Sequence, residues 1–361
     1  MSNNHFIHLI QISLGAVDGF DEALSDQEWE EMFALAKKHS ILGVLFEGLM
    51  RLPAEQRPPR LVYLKWASVI DKIESRNALQ DRRTEELSRL FSEAGFENCI
   101  LKGQGAARRY PKPEWRQCGD IDIWVQGRRE DIIKFVRSKC SCGEVVYHHV
   151  GARFFQDVPT EVHFTPTWMN SPLRNRRLQA FFDTQAPKQF SNIVEGKEFN
   201  APTAEFDAVF MLVHIYRHLF SEGVGLRQLF DYYWTLLALS PQGRATASGQ
   251  LRTLGLRRIA ASVMYVLQKV FALPEEMMLA APDRKDGEFL LNEILISGNF
   301  GKGDNRTSTI NSGNVLQRFL KKYRFQLRLL RHYPGEVLWA PFFKTWQYLW
   351  RKSKGYMKQN K

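Results

Sequence analysis

The 361-residue sequence predicts an α+β fold in three parts: an all-α N-terminal region over residues 1–95, a core with a mixed sheet of about five strands over 96–200, and a helical C-terminal domain over 201–361 that closes a cleft on the sheet. Three observations predict it. Apolar residues recur at helical spacing up to Gly95, short β-branched runs crowd between Phe96 and Phe164, and the helical period returns from Thr203 to the end.

A chain of this length buries a core without covalent staples. Its four cysteines, Cys99, Cys118, Cys140 and Cys142, show no secreted spacing, so reduced thiols in a cytoplasmic protein are expected. The first 15 residues lack the basic and apolar segments of a signal peptide, and no run approaches the roughly 20 apolar residues of a spanning helix. A soluble or membrane-peripheral protein is expected. The net charge of +11 is local: residues 315–361 carry twelve basic residues against the single acid Glu336. That points to one basic surface rather than a chain built to coat nucleic acid.

Ser25-Asp26-Gln27-Glu28 has capping-box form and opens an amphipathic helix through Trp29, Met32, Phe33 and Ala36. A second helix carries Ile41, Val44, Leu45 and Leu49, and Pro53, Pro58 and Pro59 mark a connection. A long helix follows from Leu61 to Ala94, with Gly95 as its cap.

The period then switches. Cys99-Ile100-Leu101 reads as a strand running into Lys102-Gly103-Gln104-Gly105 and a brief helix over Ala106 to Tyr110. A glycine turn after a strand leaves backbone N–H groups for phosphate, though the same turn also serves simple chain reversal. The next strand, within Cys118 to Val125, contains Asp120-Ile121-Asp122-Ile123. Alternation puts both carboxylates on one face and both isoleucines on the other. Two acids this close raise each other's cost of ionisation, so a divalent cation such as Mg²⁺ is their natural partner.

A helix over Arg128 to Lys139 and strands over Glu144 to Val150, Ala152 to Val158 and Thr160 to Phe164 are expected next, the last showing Glu161 and His163 on one face. Further on, His214 and His218 stand at i, i+4, as do Arg227 and Asp231; no HExxH pattern accompanies the histidines. Polar groups on one face of packed helices either line a cleft or form a buried network. More helices run through Leu256 to Ala272, Glu288 to Ile296, Val315 to Tyr333 and Val337 to Lys354, with residues 301–313 a polar loop.

Leu101-Lys102-Gly103, Tyr110-Pro111-x-Pro113, Arg116, Gly119-Asp120-Ile121-Asp122-Ile123, Glu161-Val162-His163, His218 and Gly223 through Gln228 with Asp231 together resemble a bacterial branch of uncharacterised nucleotidyltransferases in the DNA polymerase β-like superfamily. The resemblance implies a polymerase β-like mixed sheet flanked by helices. It also implies transfer of a nucleoside monophosphate from an NTP to a hydroxyl, with pyrophosphate released. Asp120, Asp122 and Glu161 would be the catalytic acids and the ligands of Mg²⁺ or Mn²⁺. Lys102, Gly103, Gln104 and Arg116 would meet the phosphates, and His218, Arg227 and Asp231 would form the far wall. Gln104 departs from the usual Ser. The acceptor would be a small molecule, glycan or peptide, since such members are often encoded beside polysaccharide or peptide-modification genes.

Two other readings stand beside this one. A nucleotide-sugar glycosyltransferase also uses Asp-x-Asp, but needs a Rossmann-like first half; a non-catalytic, antitoxin-like member would keep the fold alone. The basic aromatic tail, with Trp339, Phe342, Phe343, Trp346 and Trp350 among Lys344, Arg351, Lys352 and Lys354, either packs on the helical domain or touches an anionic membrane; RNA comes third.

Overall fold

Four helices precede the first strand in a computed structural model that describes residues 3–301, 304, 306 and 314–357. Most of the polar stretch 301–313, and Lys358 and Lys361 of the basic tail, lie outside the described residues. The helices are α1 (Asn3–Ser13), α2 (Asp26–His39), α3 (Leu42–Arg51) and α4 (Arg60–Glu93). The capping box forms as expected: the Glu28 N–H donates to Ser25 Oγ and the Ser25 N–H to the Glu28 carboxylate. α4 ends where Gly95 takes a φ of 82°, and the Phe96 N–H closes back on the Phe91 carbonyl. The expectations differ at α1, a segment assigned no element from sequence; its Phe6, Leu9 and Ile10 are fully buried.

The sheet follows with β1 (Asn98–Leu101), α5 (Gly103–Ala107), β2 (Ile121–Val125), α6 (Arg129–Lys139), β3 (Cys142–Val145), β4 (His149–Ala152) and β5 (Thr160–His163). Its order is β1-β2-β5-β4-β3, with β2 and β5 parallel and the other pairs antiparallel. Ile121, Ile123, Val150 and Val162 face one apolar core shared with Phe91 of α4 and Ile132 of α6. Cys99, Leu101 and Trp124 face a second core built by the surrounding helices. The short strands gain their stability from these two layers rather than from their own length.

Three local expectations shift: of the strand expected over Ala152 to Val158, only Ala152 lies in a strand, as the last residue of β4. The strand expected over Glu144 to Val150 is instead a tight hairpin, because the Val146 N–H bonds the His149 carbonyl and turns the chain at Tyr147-His148. α5 starts at Gly103 rather than at Ala106, since Lys102, at φ 49°, ends β1 abruptly. Gly105 is required there: a Cβ would lie 2.5 Å from the Ile100 carbonyl oxygen.

The chain then runs through α7 (Pro172–Phe190), α8 (Ala204–Ser221), α9 (Leu226–Leu237), α10 (Pro241–Thr253), α11 (Arg257–Phe271), α12 (Arg284–Ser297), α13 (Val315–Leu327) and α14 (Pro334–Ser353). α7 is a further element without a sequence expectation. Among the described residues no helix is long and apolar enough to cross a membrane.

His39, at the end of α2, packs against Phe6, and its Nδ1 accepts a 3.4 Å bond from the Leu226 N–H. Burial, with Lys38 adding to it, lowers its pKa to about 3. A depressed histidine stabilises the fold above its unfolded pKa of about 6.5, and this contribution is lost as pH falls toward the folded value. Between pH 7 and pH 5 the unfolding free energy should therefore fall more steeply in the wild type than in His39→Gln, by up to about 1.4 kcal/mol per pH unit. Urea titrations at the two pH values measure the difference.

Candidate active site

Strand pairing collects the acids and histidines on one face. Parallel register sets Asp122 of β2 opposite Glu161 of β5, and antiparallel register sets His149 of β4 opposite His163 of β5. Because side chains alternate, these four share a face while Ile121, Ile123 and Val162 hold the other in the core. Asp120 lies just before β2, where its carbonyl accepts a 3.0 Å bond from Gln80 of α4. Asn77, one turn earlier on α4, donates to the Glu114 and Arg116 carbonyls at 2.6 and 2.8 Å. A buried polar stripe on α4 thus positions the segment that carries the acids.

Asp122 is buried between two cations. Lys102 Nζ lies 3.0 Å from one carboxylate oxygen and His163 Nε2 2.9 Å from the other. Burial would raise its pKa, but these partners hold it well below the usual carboxylate range. Asp120 shifts the other way, to about 6, because the Asp122 charge and then burial oppose its ionisation. His163 is desolvated, yet its bonds to Asp122 and Glu161 push it up to about 9. His149 Nδ1 stands 3.2 Å from Glu161, and burial lowers its pKa to about 4. Carboxylate charge is held here only with compensating cations around it.

The remaining expected residues divide between cleft and scaffold. Lys102, Gly103, Asp120, Asp122, Arg116 and Arg227 border one pocket. Arg227 donates a 3.0 Å bond to the Gln117 carbonyl and lies over the Phe300 ring. Arg116 and Asp231 form a buried fork of two 2.7 Å bonds, and Tyr110 adds a 2.6 Å bond to Asp231. Burial works against both charges, but each partner holds the other ionised. Asp231 is thereby committed to the network, whereas Arg116 Nη1 has no bond in the protein. Gln104 does not turn into the cleft: its amide donates to Asp81 of α4, which also pairs with Lys197 at 2.7 Å. His218 borders an adjoining cavity of about 390 Å³ with Glu161, Trp168 and Arg217.

Several of these residues escape sequence reading. His148 and His149 sit on the hairpin mistaken for strand interior, with His148 Nε2 2.9 Å from His149 Nδ1. Arg217 lies over the Trp168 ring at 4.4 Å, and its Nε and Nη1 lack hydrogen-bond partners. The one available signal was on α4, where Asn77, Gln80, Thr84 and Ser88 interrupt an apolar stripe at spacings of three and four.

The donor set suits a divalent cation. Ligand atoms of Asp122, Glu161 and His163 lie within 4.8 Å of one another, and Asp120 borders both cavities beside them. Anionic oxygens fit Mg²⁺ and Mn²⁺, while the protonated His163 balances the carboxylates beside them.

None of the curated proteins matches the chain. Residues 25–272, more than half of the sequence and including Asp120, Asp122 and Glu161, match a family described as uncharacterised nucleotidyltransferase. The acid-bearing mixed sheet framed by helices is accordingly that of a nucleotidyltransferase, and the chain belongs to this uncharacterised family.

Proposed function

We propose that the protein transfers a nucleoside monophosphate from an NTP to the hydroxyl of a small-molecule, glycan or peptide acceptor. One observation carries the reading: register sets Asp122 opposite Glu161, with Asp120 two residues earlier and Lys102 against the Asp122 carboxylate. In the reaction the acceptor oxygen bonds to the α-phosphorus, the bond from that phosphorus to the bridging oxygen breaks, and pyrophosphate leaves. Asp120, Asp122 and Glu161, with His163 beside them, would hold Mg²⁺ or Mn²⁺, which supplies charge neutralisation for the phosphates and acidifies the acceptor hydroxyl.

Each protein group then has a task. Glu161 is half-buried at the mouth of the larger cavity and receives the hydroxyl proton. Lys102, the free edge of Arg116 and Arg227 offer positive charge to the triphosphate beside the Gly103 backbone. Trp168, Arg217 and His218 wall the space for the acceptor. The contribution of Gln104 is confined to its backbone, since its amide is bonded to Asp81. The glycosyltransferase reading lacks its required architecture, because α1 to α4 occupy the first quarter of the chain.

Binding of a labelled NTP tests this directly. Retention is expected with Mg²⁺ or Mn²⁺, to vanish with EDTA, and to weaken at least about tenfold in Glu161→Gln, a loss of about 1.4 kcal/mol. Binding of equal strength with EDTA would overturn the proposal, as would no binding of any NTP.

A further inference from the structure

The C-terminal helices leave a large apolar surface uncovered. On α14, Leu338, Trp339, Phe342, Trp346 and Leu349 are each between 43% and 67% exposed. At 3.6 residues per turn they fall within about 100° of arc, so they form one stripe. α13 repeats the arrangement: Leu316, Leu320 and Leu327 share a face and are 42% to 65% exposed. Isolated exposed apolar residues are ordinary, but two successive helices with ordered stripes are not.

These stripes are not awaiting closure on the protein's own body, because the opposite side of α14 is already fastened to it. Glu336 is fully buried and accepts a 2.7 Å bond from the Asn170 N–H. Phe343 stacks on Trp168 with an 18° interplanar angle, and Arg351 pairs with Glu144 at 2.7 Å. The helix is therefore held with its aromatic side outward.

Charge selects what covers that side. Arg318, Lys322, Arg324, Lys352 and Lys354 are exposed along the two helices, and the segment's one acid, Glu336, is buried. A second copy would set cations against cations. An anionic bilayer instead offers phosphates to the basic rim and its acyl boundary to the tryptophans and leucines. A groove of about 770 Å³ between α14 and α7 continues the stripe, since Trp339, Phe342 and Trp346 also form its wall. Its α14 wall is aromatic, while Asn175, Arg176, Gln179 and Asp183 of α7 line the opposite side.

We infer that α13 and α14 dock the protein on an anionic phospholipid surface, with the apolar stripe of α14 entering the headgroup boundary. The full chain is tested by co-sedimentation with vesicles of phosphatidylcholine alone or with about 30% phosphatidylglycerol. Expected binding to the anionic vesicles is at least about tenfold stronger and weakens as salt is raised. The triple variant Trp339→Ser, Phe342→Ser, Trp346→Ser should lose at least about tenfold of it, and Phe342→Ser, at the most exposed of the three positions, should lose part of it with its unfolding midpoint retained. Lys352→Glu with Lys354→Glu should remove the preference for anionic lipid while leaving the stripe intact. Wild type remaining in the supernatant would overturn the inference, as would unaltered binding by the triple variant. Two further outcomes would do the same: stripe-dependent self-association without vesicle binding, or binding of RNA but not vesicles.

Discussion

Replacing Asp122 by asparagine is expected to abolish nucleotidyl transfer and, in the same protein, to lower the unfolding free energy by about 3–5 kcal/mol. Both effects follow from one carboxylate with two duties. It is buried, and it balances Lys102 at 3.0 Å and His163 at 2.9 Å. Asparagine keeps the shape but removes the charge, leaving the ammonium and imidazolium poorly paired in a dry site. The His163 pKa, held up to about 9 by Asp122 and Glu161, should fall, which proton NMR of the imidazole reads out. On the proposed function, transfer should drop by at least about 10³-fold, because Asp122 would be a ligand of the cation, worth several kcal/mol. Glu161→Gln separates the two duties. Glu161 is more exposed, so transfer should fall while the unfolding midpoint moves far less.

The second large effect concerns Asp231. Asp231→Ala should cost about 3–5 kcal/mol, since it strands the Arg116 guanidinium, which is 4% exposed. Tyr110 loses its acceptor in the same step. The paired variant Arg116→Met with Asp231→Leu should recover most of that stability, because well-packed apolar replacements of a buried ion pair are often neutral. It should not recover NTP binding, since Arg116, whose Nη1 has no partner in the protein, borders the pocket. Recovery of both would make Arg116 scaffold alone; chemical denaturation and NTP titration on the same samples decide.

The legible parts of the fold were those with a strict local period. Asp120-Ile121-Asp122-Ile123 alternates, so its strand and its polar face could be read from the residues alone. Glu161 and His163 were readable for the same reason, though their register against Asp122 is a long-range pairing that no local pattern encodes. α7 was hidden because its buried Leu178, Phe182 and Ala186 form a narrow stripe among charged residues, with Pro187 inside the helix. The Tyr147-His148 turn has the local pattern of strand interior, because the bond that bends it is backbone to backbone. Gln104 illustrates a different limit: its place in the turn was evident, but its direction depends on Asp81 from a helix about 20 residues earlier. On the far wall, Asp231 joins a buried network and, like Arg227, also borders the pocket.

The most direct measurement follows the label of an NTP marked at its α or its γ phosphate, with Mg²⁺ or Mn²⁺ present and cell extract as the acceptor source. Wild-type protein should place the α label on an acceptor and release the γ label as pyrophosphate, and Asp122→Asn should do neither. Appearance of the γ label on the acceptor, or equal α transfer by the variant, would contradict nucleotidyl transfer at Asp120, Asp122 and Glu161.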